Sequence, residues 1–124
     1  KHLQKPQTAA PERRTVVIAG CETHVCLLQT ALMLLQAEWD VCVVTDACGS
    51  RTERNRDAAY DRLAAAGAEL ATTEMVGFEW LRSAEHPHFR DWQALMPALS
   101  PVVPGLLRDI EAQLQAVMPV ATQA

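Results

Sequence analysis

The stretch Thr15-Val-Val-Ile-Ala-Gly-Cys-Glu-Thr-His-Val-Cys-Leu-Leu-Gln-Thr-Ala-Leu32 decides the fold. Its first five residues form a continuous apolar run that stops at Gly20, the pattern of a strand buried on both faces of a parallel sheet. From Thr23 to about Gln36, Val25, Leu28, Leu32 and Leu35 recur at spacings of three and four, which is the helical period. The same alternation continues downstream. Val41–Thr45 reads as a second buried strand ending at Asp46. Glu53–Ala66 reads as a helix with Ala59, Leu63 and Ala66 on one face and Gly67 at its C-cap. Ala68–Thr72 is a weaker third strand, and Glu74–Ser83 a helix bearing Phe78, Trp80 and Leu81.

An order of β-α-β-α-β-α predicts right-handed crossovers and a three-layer α/β/α arrangement around a parallel sheet. Residues 1–14, polar and holding Pro6 and Pro11, read as a loose lead-in to a domain over 15–96. His86–Met96 reads as a short helix closing that domain. Residues 97–124 combine a proline-rich linker, Pro97–Gly105, with an amphipathic helix through Leu107, Ile110, Leu114 and Val117. Val16, Val17 and Ile18 read as fully buried. Consecutive parallel strands neighbour one another, however, so this first strand is left with an open, apolar edge that invites association.

The chain has 124 residues, a net charge of −4, 49% hydrophobic residues and only 5% aromatics. That length suits one domain with a real core. The mild acidity argues against a nucleic-acid surface or a polybasic membrane patch. No apolar run approaches the roughly 18 residues of a membrane span, and Lys1–Arg14 has no signal-peptide core, so the expectation is a cytoplasmic protein. Residue 1 is Lys rather than Met, which suggests a chain that begins partway through a longer product.

Chemistry concentrates in Gly20–Cys26. Thr23 reads as the N-cap of the first helix, which places Cys26 in its first turn, among unpaired backbone N–H groups and in the positive end of the helix dipole. That setting favours a thiolate nucleophile, and it lies beyond the carboxyl end of a strand, where open α/β sheets bind ligands. A small apolar residue packing helix on sheet fits the same position, so both roles stand on spacing alone. The four cysteines, at 21, 26, 42 and 48, form no zinc-binding pattern, and without a secretory signal they read as reduced thiols. Cys21 is placed to act as a resolving thiol for Cys26. Cys42 reads as core, and Cys48 as lining the sheet's carboxyl edge. His86-Pro-His88 resembles a metal pair only superficially, and no cofactor motif is present.

The segment Val17–Leu32 resembles the nucleophile region of the isochorismatase-like cysteine hydrolases, relatives of nicotinamidases and N-carbamoylsarcosine amidohydrolase. The resemblance continues through Val43–Arg51, Gly67–Met75 and Phe78–Leu81, in family order over about residues 13–96. It implies that Cys26 is the nucleophile on a small amide or related C–N bond. It also implies that the N–H groups of Glu22 and Cys26 form the oxyanion hole, with a cis peptide between Cys21 and Glu22. His24 and Cys48 are then expected to line the substrate site. The thiol itself sets the chain apart from true isochorismatases, which lack it.

The family's general base, an Asp, and its Lys have no counterpart here. The only lysines are Lys1 and Lys5, and no aspartate precedes Asp40. The resemblance therefore implies the C-terminal half of such a hydrolase, weakly active or inactive alone. Its expected partners are a small-molecule substrate and either further copies of itself or the missing half, with no nucleic acid and no membrane. Trp39 follows Glu38 at a turn where the family has Gly, so strain is expected there. Two other classes fit the residues: a non-catalytic assembly module, and a thiol redox protein using Cys21 and Cys26.

Overall fold

The computed structural model describes residues 6–98 together with Asp109, Ala112, Gln113 and Ala116. Three parallel strands, β1 (Thr15–Cys21), β2 (Asp40–Gly49) and β3 (Glu69–Ala71), lie in the order β1-β2-β3. A wide π-helical turn, Thr23–Leu27, leads into α1 (Leu28–Gln36) after β1. Helix α2 (Glu53–Ala65) joins β2 to β3, and α3 (Thr73–Leu81) follows β3.

Strand β2 alternates across the sheet as a central strand must. Val41 and Val43 enter one core with Leu27, Leu28 and Ala31 from the first turn and α1, and with Ala59 and Leu63 from α2. Cys42 and Val44 face the other way and pack with Ala71 and Val76 under α3. One face of the sheet is thus covered by α1 and α2, the other by α3, as a three-layer fold requires. Two of the helix starts are chemically marked. Thr52 Oγ1 accepts the Asn55 N–H (3.2 Å) at α2, and Thr72 Oγ1 accepts that of Met75 (3.3 Å) at α3. Gly67, at φ 100°, ends α2 in a conformation closed to most side chains.

Several sequence expectations change. Strand β1 is not fully buried: its residues alternate between exposed and half-buried, and Val17 is 38% exposed. It stands at the sheet edge, with helices over only one of its faces. Residues 6–14 are not a loose lead-in, because Ala9 is part of the main core and Arg14 Nε donates to its carbonyl (3.3 Å). Strand β2 does not stop at Asp46 but runs on to Gly49. The late helical stretch covers 89–98 and so includes Pro97. The amphipathic face through Leu107, Ile110, Leu114 and Val117 lies outside the described residues. Glu38, as expected of a non-glycine at its turn, sits at φ 67°, a conformation costing on the order of 1 kcal/mol.

Stretch 89–98 packs on α3 through aromatic rings. Phe78 lies 5.6 Å from Phe89 and meets Trp92 edge-on at 6.4 Å. Gly77 permits this approach, because a Cβ there would overlap the Trp92 ring. Alanine normally gains about 1 kcal/mol over glycine inside a helix. Here overpacking, typically 1–3 kcal/mol, outweighs that gain because Phe78 hems in the ring. Gly77→Ala is therefore expected to lower the thermal midpoint and speed proteolysis within 82–98. Gly77→Ala with Trp92→Leu is expected to recover most of the loss in the same melts.

Candidate active site

The site is built where β1 and β2 finish. Their pairing runs in register from Thr15↔Asp40 to Ile18↔Val43, then resumes at Gly20↔Cys48 and Cys21↔Gly49. Residues 44–47 bulge opposite Ala19 alone, which re-aims the end of β2 toward the end of β1. The Cys48 thiol spans that bulge by donating to the Val44 carbonyl (3.0 Å).

Beyond Cys21 the peptide to Glu22 is cis. Glu22 is extended (φ −90°, ψ 142°), and its carbonyl accepts the N–H groups of Val25 (3.1 Å) and Leu27 (3.3 Å). The cap residue is thus Glu22, not Thr23. The Thr23 hydroxyl is buried and accepts no capping bond, so it does not occupy the Cys26 N–H. Wide π-helical turns of this kind are frequent at functional sites. Cys26 lies within the turn, exposed, with its carbonyl accepting from Thr30 Oγ1 (2.7 Å).

Two side-chain ties join this turn to the segment after β2. The Glu22 carboxylate accepts both the backbone N–H of Arg51 (2.9 Å) and its Nε–H (3.1 Å). His24 Nδ1 lies 2.9 Å from the hydroxyl of Ser50, which is almost fully buried. The structure therefore brings Glu22, His24 and Cys26 together on one turn and adds Ser50 and Arg51. The sequence reading missed the pairing of Glu22 with Arg51. Opposite charges at two turns were visible, but only the parallel register brings those turns side by side. Asp46 lies within the bulged stretch of β2. Its carboxylate accepts the N–H (2.8 Å) and hydroxyl (2.9 Å) of Thr73, favourably placed at the start of α3.

The four thiols separate by setting. Cys21 and Cys26 are exposed; Cys42 and Cys48 are buried. Burial, with Glu69 and Glu79 nearby, pushes the Cys42 thiol up, and burial above all pushes Cys48 up to about 11. Cys48 thus lies in the core beneath the turn, as a neutral thiol. Among the described residues no three His, Cys, Asp or Glu side chains cluster to hold a metal ion, and His88 pairs instead with Asp91 (3.2 Å). None of the described helices is long and apolar enough to cross a membrane.

Comparison with known proteins places this geometry in context. The model of the isochorismatase domain matches residues 6–75, so the match starts ahead of the stretch from about residue 13 that the motifs marked. It gives no support to a C-terminal half as such. Isochorismatase domain-containing protein 2 from Bos taurus is 42% identical over 99 residues, 80% of this chain and 48% of its own length. The chain therefore spans about half the length of that curated relative. Among solved structures, the MAR1 ribonuclease from Caenorhabditis elegans is similar at 38% identity and a TM-score of 0.64, over 66% of this chain and 43% of its own. The YcaC gene product from Escherichia coli, described as an octameric hydrolase of unknown specificity, aligns at 33% identity and TM-score 0.60, over 73% of this chain and 50% of its own. YcaC from Pseudomonas aeruginosa, solved with hexane-2,5-diol and covalent acrylamide, gives 33% and 0.60, over 80% and 48%.

The buried Cys48 gives the fold beneath the site a pH signature. Its thiol stays protonated in the folded chain up to about pH 11, whereas an unfolded thiol ionises near 9.0. The folded state then holds the extra proton, so stability is full below about pH 9 and is lost as the pH rises toward 11. The two-unit gap corresponds to at most about 3 kcal/mol. Thermal melts from pH 8 to 11 should show the midpoint falling, and Cys48→Ala, though less stable at pH 8, should show a shallower fall. An equally steep fall in both proteins would contradict this assignment.

Proposed function

The chain belongs to the isochorismatase domain family, and from that premise we propose that it carries the nucleophile of a cysteine hydrolase acting on a small amide or related C–N bond. The observation that carries the reading is the placement of Cys26: an exposed thiol in a wide turn at the carboxyl end of the sheet, one cis peptide and five residues beyond Cys21, the last paired residue of β1. Open α/β sheets bind ligands at that end. The covalent acrylamide in the YcaC relative supports it too, since acrylamide is both a small primary amide and an electrophile for thiolates.

In this reading the Cys26 sulfur attacks the carbonyl carbon and a C–S bond forms. The N–H groups of Glu22 and Cys26 receive the charge that develops on the carbonyl oxygen, a contribution of roughly 3 kcal/mol per donor. The C–N bond then breaks, the amine leaves with a proton, and water hydrolyses the thioester to a carboxylic acid and the free thiol. Protonating the amine and activating the water need an acid and a base. Among the described residues the Cys26 thiol makes no hydrogen bond. In this reading groups outside the described residues complete the site, consistent with the open edge of β1 and with the octameric assembly of the E. coli relative. A small-molecule substrate and a cytoplasmic setting belong to the same proposal.

A second reading has its own observation. Cys21 and Cys26 are the two exposed thiols of the four, and a reversible disulfide between them under mild oxidant would support a redox role.

The test is acylation of the full chain by p-nitrophenyl acetate. Wild-type protein should release a stoichiometric burst of p-nitrophenolate followed by slow turnover. Cys26→Ala should lose the burst by about two orders of magnitude, and Cys21→Ala should keep it. A burst that survives Cys26→Ala would falsify the nucleophile assignment. RNA cleavage that survives the same substitution would point instead to phosphodiester chemistry, which the net charge of −4 disfavours.

A further inference from the structure

The Glu22 side chain has no part in the reaction just described, yet it is the best-anchored carboxylate at the site. Its Oε2 takes two donors from one residue, the backbone N–H (2.9 Å) and Nε–H (3.1 Å) of Arg51. Both side chains are mostly buried, at 15% and 23% exposure, so the pair is shielded from solvent rather than screened at the surface. Charge-assisted bonds of this kind are short, directional and about twice as strong as neutral ones. A second tie, His24 to Ser50 at 2.9 Å, runs alongside it.

These ties matter because of which backbone they hold. Glu22 lies between the last β1 residue, Cys21, which is paired with Gly49, and the turn that carries Cys26. Its carbonyl is committed to the N–H groups of Val25 and Leu27. Its own N–H is one of the two oxyanion donors in the reading above, on which this inference rests. We propose that Glu22 is a positioning residue: acting through Arg51, its carboxylate fixes the direction of its own backbone N–H toward the oxyanion. The segment 50–51 is thereby a rigid back wall of the site. An oxyanion donor is effective only when aimed where charge develops, so a small rotation of Glu22 costs rate without removing the thiol.

Two reagents separate this role from a merely structural one. p-Nitrophenyl acetate acylates Cys26 through an oxyanion: the C–S bond forms, the ester C–O bond breaks, p-nitrophenolate leaves with the electron pair, and the thiol proton passes to buffer. Iodoacetamide alkylates the same sulfur by direct displacement: the C–S bond forms, the C–I bond breaks, and iodide leaves with no oxyanion. The ratio of the two rate constants, measured on the full chain at one pH, reports donor geometry. Glu22→Ala and Arg51→Ala are expected to lower that ratio about tenfold, with alkylation held within about twofold. Glu22→Gln, whose amide oxygen can still accept both Arg51 donors, should recover to within about threefold of wild type. Arg51→Lys, which retains the backbone N–H but not the Nε donor, should fall between.

A ratio unchanged in Glu22→Ala and Arg51→Ala, while acylation still requires Cys26, overturns this proposal and leaves the nucleophile assignment intact. Both rates falling together with the thermal midpoint would show a structural role only and overturns it as well. Acylation indifferent to Cys26→Ala removes the nucleophile assignment and this proposal with it. Should an alanine variant fail to fold, the spread between Glu22→Gln and Arg51→Lys decides in the same way.

Discussion

Parallel pairing of β1 with β2, interrupted once and then resumed, is the constraint on which the rest depends. Had the ladder continued in step beyond Ile18↔Val43, Gly20 would have lain near Thr45, and the turn after Cys21 would have faced the middle of β2. The four-residue bulge at 44–47 instead delivers Cys48 and Gly49 to the end of β1. Three things follow. Ser50 and Arg51 come within reach of His24 and Glu22, Asp46 is thrown out to meet Thr73 at α3, and the Cys48 thiol is drawn under the turn, where its bond to Val44 closes the bulge. One irregularity in hydrogen bonding thus supports both the turn that carries Cys26 and the helix on the opposite face.

The same irregularity sorts the chain's sulfur chemistry. Two thiols enter the interior, where a thiolate loses solvation and the neutral form persists into alkaline solution. Two remain at the carboxyl end, open to electrophiles. The sorting owes nothing to the cysteines themselves, which occur within 28 residues of one another in similar apolar surroundings. It is set by parity along β2, which turns Cys42 inward under α3, and by the bulge, which returns Cys48 to the core shared with α1 and α2.

Much of the architecture was legible because period and punctuation agree. The strand order, the helix over Glu53–Ala65 with Ala59 and Leu63 inside, and its glycine stop all rest on local rules, whereas the strain at Glu38 was legible only through the family resemblance. The first helix shows where such rules fail. A regular helix through Leu28, Leu32 and Leu35 would bury Val25. The wide turn instead puts Thr23 and Leu27 inside and leaves Val25 43% exposed. A π-helical turn has no residue signature of its own, since it arises from the Glu22 carbonyl reaching Leu27, five residues on. The burial of β1 was overestimated for a related reason: an apolar run reports what a strand is suited to, not which neighbours it has. The Glu22–Arg51 tie was hidden because it depends on the bulge, a feature of register rather than of sequence.

The outer edge of β1 has a further consequence. Along Thr15–Cys21 no described strand takes up the outward-facing amides and carbonyls, and the strand carries no charge, proline or bulge to discourage a visitor. Such an edge is a template that any extended segment of compatible twist can copy. Any partner strand would therefore compete with identical edges finding one another. Colloidal behaviour is thus set in part by one strand, and a charged residue at Val17 would discourage pairing along it by any visitor, identical or not.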